Sequence, residues 1–208
     1  RALPVLIQPA GWAFSIWGLI YSLSIVYGMY QIIPKYDNKT LKQTRVPALL
    51  GFTGSAVWLY FAGMSNWMVW LTILVLFGMA LVLTTVVTAA EGENIWQNRF
   101  SKYILLPYAA WAGIASWVNV QALLLDQNVI TSPSVNFVTN IFLFIGLTLF
   151  TLKYFRKSGY SAWYGGVMVW AATAIVAANW EMGSIWFVLL ATGYILVTVS
   201  LCGRKFLK

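Results

Sequence analysis

Histidine is absent from this chain of 208 residues, and cysteine occurs once, at Cys202. The first absence removes the commonest metal ligand and the usual proton-transfer group near neutral pH. The second excludes an internal disulfide and any metal cluster built on several thiolates. Acidic residues number only five, and Asp, Glu, Lys and Arg together make up 9% of the chain. Soluble domains carry roughly 25% charged residues, because a water-facing shell has to be built from something. A chain so short of charge cannot coat itself for water, so lipid must be its solvent over most of its surface. Charge is also missing from the middle of every long apolar run, which argues against a proton pump, a voltage sensor or an ion-coupled transporter. The last run has no buried Lys, so a retinal Schiff base is excluded.

What is present fits lipid. Apolar residues make up 61% of the sequence, with 12 Trp, 11 Tyr and 12 Phe. Aromatic rings suit both apolar packing and the headgroup belt. Crossing the hydrocarbon takes about 20 helical residues, and seven runs of near-spanning length occur, at 10–33, 46–64, 67–90, 103–125, 137–155, 162–179 and 184–202. The run Ile73 to Thr85 lacks the strict alternation of a barrel strand. The pattern predicts an all-α integral membrane bundle of about seven transmembrane helices. Tight turns are predicted at Ser65-Asn66 and at Trp180 to Gly183.

The formal charge of +8 does not point to nucleic acid, because the cations sit in short breaks and form no continuous basic face. With seven alternating helices, Lys35, Lys39, Lys42, Arg45, Arg99, Lys102, Lys153, Arg156, Lys157, Arg204, Lys205 and Lys208 share one side of the membrane. Arg1, Asp126 and Glu181 take the other. That split follows the positive-inside rule and predicts basic loops and a C-terminus on the cytoplasmic or equivalent side, in a bacterial inner membrane or an organellar one. Position 1 is Arg, residues 1–8 lack the layout of a signal peptide, and a helix ahead of residue 1 is left open.

Two segments carry more than spanning requires. In Pro9 to Tyr21, the proline suits a helix start, and Phe14, Trp17 and Tyr21 fall three and four apart on one face. Trp12 reads as an interfacial belt residue. Trp17 and Tyr21 lie deeper, with ordinary packing and a pocket both open. In Leu106 to Asn119, Tyr108, Trp111, Ala115 and Asn119 form a second stripe. The Asn119 amide needs a partner inside the bundle, either another helix or a ligand. Ala112 and Ala115 leave room beside the rings, or let a neighbouring backbone approach. Trp58, Tyr60, Asn179 and Trp180 are weaker candidates. Ala171, Ala172, Ala174, Ala177 and Ala178 look like a close helix contact.

Pro9, Trp12, Phe14, Trp17 and Tyr21 resemble the tryptophan-rich motif that opens the second helix of the TspO/translocator (tryptophan-rich sensory) proteins. Leu106 to Asn119 resembles the same family's fifth-helix pattern, Leu-Pro-Tyr-x-x-Trp-x-x-x-Ala-x-x-x-Asn, at every fixed position. Trp58 stands where the third helix often has a tryptophan. The resemblance implies that residues 1–125 are the family's helices two to five, and that 126–208 add three transmembrane helices to the same membrane domain. The family's first helix has no counterpart in the chain, Ala10 replaces a second proline, and Ser15-Ile16 replaces a frequent Gly-Pro or Pro-Pro pair. Val120 to Asp126 lacks the tyrosine and the base of the family's cholesterol motif, itself a weak pattern, so no dedicated cholesterol site is expected.

The implied function is a membrane-embedded binding protein for a planar hydrophobic ligand, a tetrapyrrole above all, in sensing, regulation or transport. Trp17, Tyr21, Trp58, Tyr108, Trp111, Ala115 and Asn119 are the implied ligand-binding residues. A cavity between the first and fourth helices, walled by Trp17 and Trp111, is expected. The implied cofactor is a bound porphyrin, haem precursor or chlorophyll-type pigment. Lipids, a homodimer partner and membrane-complex subunits are the other implied partners. The alternative is a structural or regulatory subunit of a photosynthetic or respiratory complex. The sequence has no nucleophile–base pair, metal cluster or nucleotide motif for ordinary catalysis, so it leans away from an enzyme. Indole-mediated photochemical breakdown of a bound porphyrin is a third reading.

Overall fold

The computed structural model describes residues 3–32, 39–63, 69–89 and 95–204. Among these residues, a short 3-10 turn, Gly11–Ser15, is followed by seven α-helices: α1 (Ile16–Ile32), α2 (Lys39–Ala62), α3 (Val69–Ala89), α4 (Ile95–Asp126), α5 (Pro133–Lys157), α6 (Ala162–Glu181) and α7 (Ile185–Arg204). No strand occurs among the described residues. Among the described residues, five segments are long and apolar enough to cross a membrane: Gly11–Ile32, Phe100–Asp126, Pro133–Lys157, Ala162–Glu181 and Ile185–Gly203. The chain is an integral membrane protein. Of the other two helices, α3 supplies a shorter apolar stretch, Trp70–Val86, while α2 carries Lys39, Lys42 and Arg45 in its first turns. The turn expected at Ser65-Asn66 lies outside the described residues, as do Arg1, Lys35, Lys205 and Lys208.

Helix α4 starts well before the apolar run that announced it. Its 32 residues reach about 48 Å at 1.5 Å per residue, longer than the roughly 30 Å of hydrocarbon. The helix therefore continues past its apolar part, through Arg99 and Lys102. Helix α5 also starts early, because Ser132 caps it: its hydroxyl accepts from the Val135 N–H at 3.3 Å, and Pro133 opens the first turn.

Three helix ends use the same device. The N–H of Val129 reaches the Leu124 carbonyl at 3.0 Å, Tyr160 reaches Phe155 at 3.0 Å, and Ser184 reaches Asn179 at 2.9 Å. Each bond spans a residue in the left-handed region: Asn128 (φ 52), Gly159 (φ 65) and Gly183 (φ 70). These Schellman closures satisfy the last carbonyls without water. They also keep the α4–α5, α5–α6 and α6–α7 connections short, including the turn expected at Trp180 to Gly183.

The hub of the bundle is α4, which packs against α1, α2, α3, α5 and α6. Every residue from 104 to 116 is buried. Lipid gives helices no hydrophobic reason to associate, so contact area must come from fit. Large side chains meet glycines here. A Cβ on Gly113 would lie 2.7 Å from the Phe150 ring, one on Gly165 2.9 Å from Phe155, and one on Gly51 2.8 Å from Leu83. Ala171, Ala172 and Ala174 of α6 are buried, Ala177 and Ala178 half-buried. The α6 backbone comes close enough for the Ala10 N–H to bond the Ala174 carbonyl at 3.0 Å.

The segment ahead of the 3-10 turn is not helical, yet Leu6, Ile7 and Pro9 are buried. Its peptide groups need partners that water cannot supply. Four side-chain amides do the work. Asn136 Nδ2 donates to the Pro4 carbonyl at 2.9 Å, and Gln121 Nε2 donates to it at 3.4 Å. Asn140 Oδ1 accepts from the Ile7 N–H at 3.2 Å, and Asn179 Nδ2 donates to the Leu6 carbonyl at 2.8 Å. Asn140 Nδ2 in turn holds Asn136 Oδ1 at 2.9 Å. The strap is thus tied to α4, α5 and α6 at once.

Replacing Asn140 by Ala strands the buried Ile7 N–H and loosens Asn136. The expected cost is about 1–3 kcal/mol, read as a lower melting temperature in detergent with helix content unchanged beforehand. An unaltered melting temperature would show that other contacts hold the strap.

Candidate functional site

Rings from three helices converge on Trp17. Its indole stacks on Tyr21, one turn further along α1, with centroids 5.4 Å apart, and on Trp58 of α2 at 5.3 Å. Tyr108 and Trp111 of α4 meet it edge-on at 6.0 and 6.4 Å. Phe14, in the 3-10 turn, adds an edge contact to Trp111 at 5.6 Å. Phe52 of α2 stacks on Tyr108 at 6.1 Å with the planes 9° apart. Such pairs contribute about 0.5–1.5 kcal/mol each beyond their buried area, so the cluster is a substantial part of the α1–α2–α4 contact. The 3- and 4-residue spacing of Phe14, Trp17 and Tyr21 survives the change from 3-10 turn to α-helix at Ile16.

The polar atoms of the cluster fall into two groups. The Tyr108 hydroxyl is satisfied: it donates to the Gly51 carbonyl at 2.6 Å and pairs with the Ser55 hydroxyl. Among the described residues, the indole N–H groups of Trp58 and Trp111 and the Tyr21 hydroxyl are buried and have no hydrogen-bond partner. Leaving a buried donor unmade costs about 1–3 kcal/mol, so these three groups each want an acceptor. Trp117 has the same deficit, but its ring is wedged against Gly146 and Phe77 at the α3–α4–α5 seam. By contrast, the Trp170 N–H is used, donating to the Ala13 carbonyl at 3.0 Å and pinning the 3-10 turn to α6.

Of the seven sequence-derived site residues, the structure brings five together: Trp17, Tyr21, Trp58, Tyr108 and Trp111. Asn119 lies eight residues past Trp111, about 12 Å along α4. Its Nδ2 donates to the Ala115 carbonyl at 2.8 Å, and its Oδ1 accepts from the Thr72 hydroxyl at 3.4 Å. Asn119 thus finds its partner on α3, and buried Ala115 lies in the same stretch of α4. Among the weaker candidates, Tyr60 and Trp180 are exposed, and Asn179 of α6 anchors the strap. Trp12 is exposed and sits edge-on to Trp170 at 4.8 Å.

The cavity expected behind Trp17 and Trp111 takes another form. A cavity of 280 Å³ adjoins the cluster, lined by Tyr21, Ser24, Ile25, Phe52, Ser55 and Tyr108. A larger groove of 440 Å³ runs on the other side of α1, lined by Ser15, Leu19, Pro107, Trp163, Gly166 and Trp170 among others. Trp17 and Trp111 line neither, because their rings fill each other's space. Ser24, Phe52 and Ser55 escaped the sequence reading. So did Trp163 and Trp170, although their seven-residue spacing places both on one face of α6. Among the described residues no group of three His, Cys, Asp or Glu side chains gathers to hold a metal.

A protein-family model described as TSPO-like protein matches residues 1–202, so it runs through α5 and α6 into α7 as well as the aromatic helices. Searches of curated proteins and of solved structures return no match.

Tyr108→Phe deletes the donor to Gly51 and the partner of Ser55 without emptying the ring's volume. The expected loss is about 1–2 kcal/mol of stability, seen as a lower melting temperature with an unchanged circular dichroism spectrum.

Proposed function

Since the chain belongs to the family of TSPO-like proteins, we propose that its aromatic cluster is the binding site for a planar, largely apolar ligand with acceptor atoms at its edge. The observation that carries this reading is the pair of buried indole donors, Trp58 and Trp111, left without acceptors beside Trp17. A flat ring takes the stacking surface of Trp17 or Tyr21. Its carbonyl, carboxylate or ring nitrogen satisfies the indoles, and the Tyr21 hydroxyl offers a further polar contact.

A tetrapyrrole fits this description, and its binding serves sensing, regulation or transport. The adjoining cavity of 280 Å³ falls just below the range of ligand pockets, about 300–1,000 Å³. A macrocycle therefore requires Trp17 to leave its stack on Trp58, with the ligand replacing the ring contacts that are lost.

The same reading assigns the site to residues 1–125 and gives 126–208 a supporting role in one membrane domain, with α6 closing the far side of α1. Seven alternating crossings put Lys42, Arg45, Lys102, Lys153, Arg156 and Lys157 on the cytoplasmic side. The contacts support the alternation, since the start of the chain meets the end of α4, the start of α5 and the end of α6.

Titration with protoporphyrin, followed by quenching of tryptophan fluorescence, tests the proposal. Trp17→Ala with Trp111→Ala is expected to weaken binding at least about tenfold, a loss of roughly 1.4 kcal/mol, while helix content stays the same. Affinity equal to that of the unaltered protein would sink it. Asn119→Leu separates the two roles open to that residue. Its bonds to Ala115 and Thr72 lead us to expect a lower melting temperature with unchanged porphyrin affinity.

A further inference from the structure

The seam between α1 and α2 is bridged near the end of α1 and opens beside that bridge. Tyr27 and Thr44 hydrogen-bond across it through their hydroxyls. Next to this bond lies a cavity of 360 Å³ between Gly28, Gln31 and Ile32 of α1 and Arg45, Val46, Leu49 and Phe52 of α2. Its two ends differ in chemistry. The Gln31 amide and the Arg45 guanidinium belong to one end, with exposed Lys42 one turn before Arg45. The rest is apolar, and Ile32, Val46 and Leu49 are 79%, 61% and 59% exposed. From Arg45 to Phe52 the wall runs about 10 Å along α2. Gly28 keeps the floor open, because a Cβ placed there would meet nothing within 4 Å.

A cation at the head of an apolar trough is complementary to an anionic amphiphile lying along the helix. We propose that this cleft binds one anionic phospholipid, with its phosphate at Arg45 and one acyl chain along Val46, Leu49 and Phe52. The charge end coincides with the basic side of the chain, where a headgroup sits at the depth of Arg45 and the chains run inward. A zwitterionic lipid makes the apolar contacts alone and forfeits the net attraction. One Arg near a membrane surface contributes about fivefold in affinity for an acidic lipid. The site is separate from the aromatic cluster, although Phe52 walls both cavities and stacks on Tyr108 from the cluster side.

Native mass spectrometry of the full chain in detergent, with dioleoylphosphatidylglycerol and dioleoylphosphatidylcholine offered at equal concentration, tests the proposal. One phosphatidylglycerol per chain is expected, preferred about fivefold over phosphatidylcholine. Arg45→Gln is expected to erase the preference while leaving weak binding of both lipids. Gly28→Leu keeps the charge, starts from a Cβ that meets no atom within 4 Å, fills the open floor, and is expected to reduce occupancy by both. Equal retention of the two lipids by the unaltered chain overturns the proposal. So does a preference that survives Arg45→Gln, or phosphatidylglycerol occupancy unchanged by Gly28→Leu. Protoporphyrin affinity measured alongside distinguishes loss of the lipid site from loss of the aromatic site.

Discussion

The bundle depends on how a non-helical, partly buried stretch of backbone is kept satisfied between helices. Residues 4–10 enter between α4, α5 and α6 with no ladder or helix of their own, and an unpaired peptide group in hydrocarbon costs several kcal/mol. The amides of Gln121, Asn136, Asn140 and Asn179 meet that demand. Because the strap leads directly into the 3-10 turn, its anchoring sets where α1 begins. The Trp170 N–H on Ala13 and the Ala10 N–H on Ala174 fix the next few residues. The position of Trp17, and with it the ring cluster, follows from contacts made by α4, α5 and α6.

The same contacts join α5 and α6 to the aromatic helices. The glycine-to-ring fits of Gly113 with Phe150 and of Gly146 with Trp117 lock α5 onto α4. Helix α6 then closes the bundle from the other side, with the Thr151–Tyr194 hydroxyl bond at 2.7 Å tying α7 to α5. None of these contacts relies on a charge, as expected of helices whose neighbours are lipid chains.

The existence and order of the helices were legible in the sequence, because lipid demands long uncharged runs and the chain supplies them. Their ends were less so. Helical hydrogen bonding does not stop where hydrocarbon does, so α4 continues past the charges that appeared to end it. The Ser132-Pro133 start of α5 is a local signal that an apolar-run reading passes over. Gln121, Asn136 and Asn140 drew no attention, since each looks like an ordinary polar residue near a membrane face. Their partner is backbone more than a hundred residues away. At the site, helical spacing and family resemblance were enough to bring Trp17, Tyr21, Trp58, Tyr108 and Trp111 to one place. A stripe of rings says which face a helix turns inward. It does not say whether the facing space holds another ring or a void, and here it holds rings. Asn119 shares the α4 stripe by spacing, but it lies too far along the axis to join them.

Trp17 touches Tyr21, Trp58, Tyr108 and Trp111 at the same time. Energies in such an arrangement do not add, because each ring's contribution depends on Trp17 staying where the others hold it. Changes at positions 58 and 108, on different helices, therefore act through a single shared neighbour. Over a lineage, such positions are free to drift only in company, and an altered ring at one of them is best tolerated where another has already shifted to receive it.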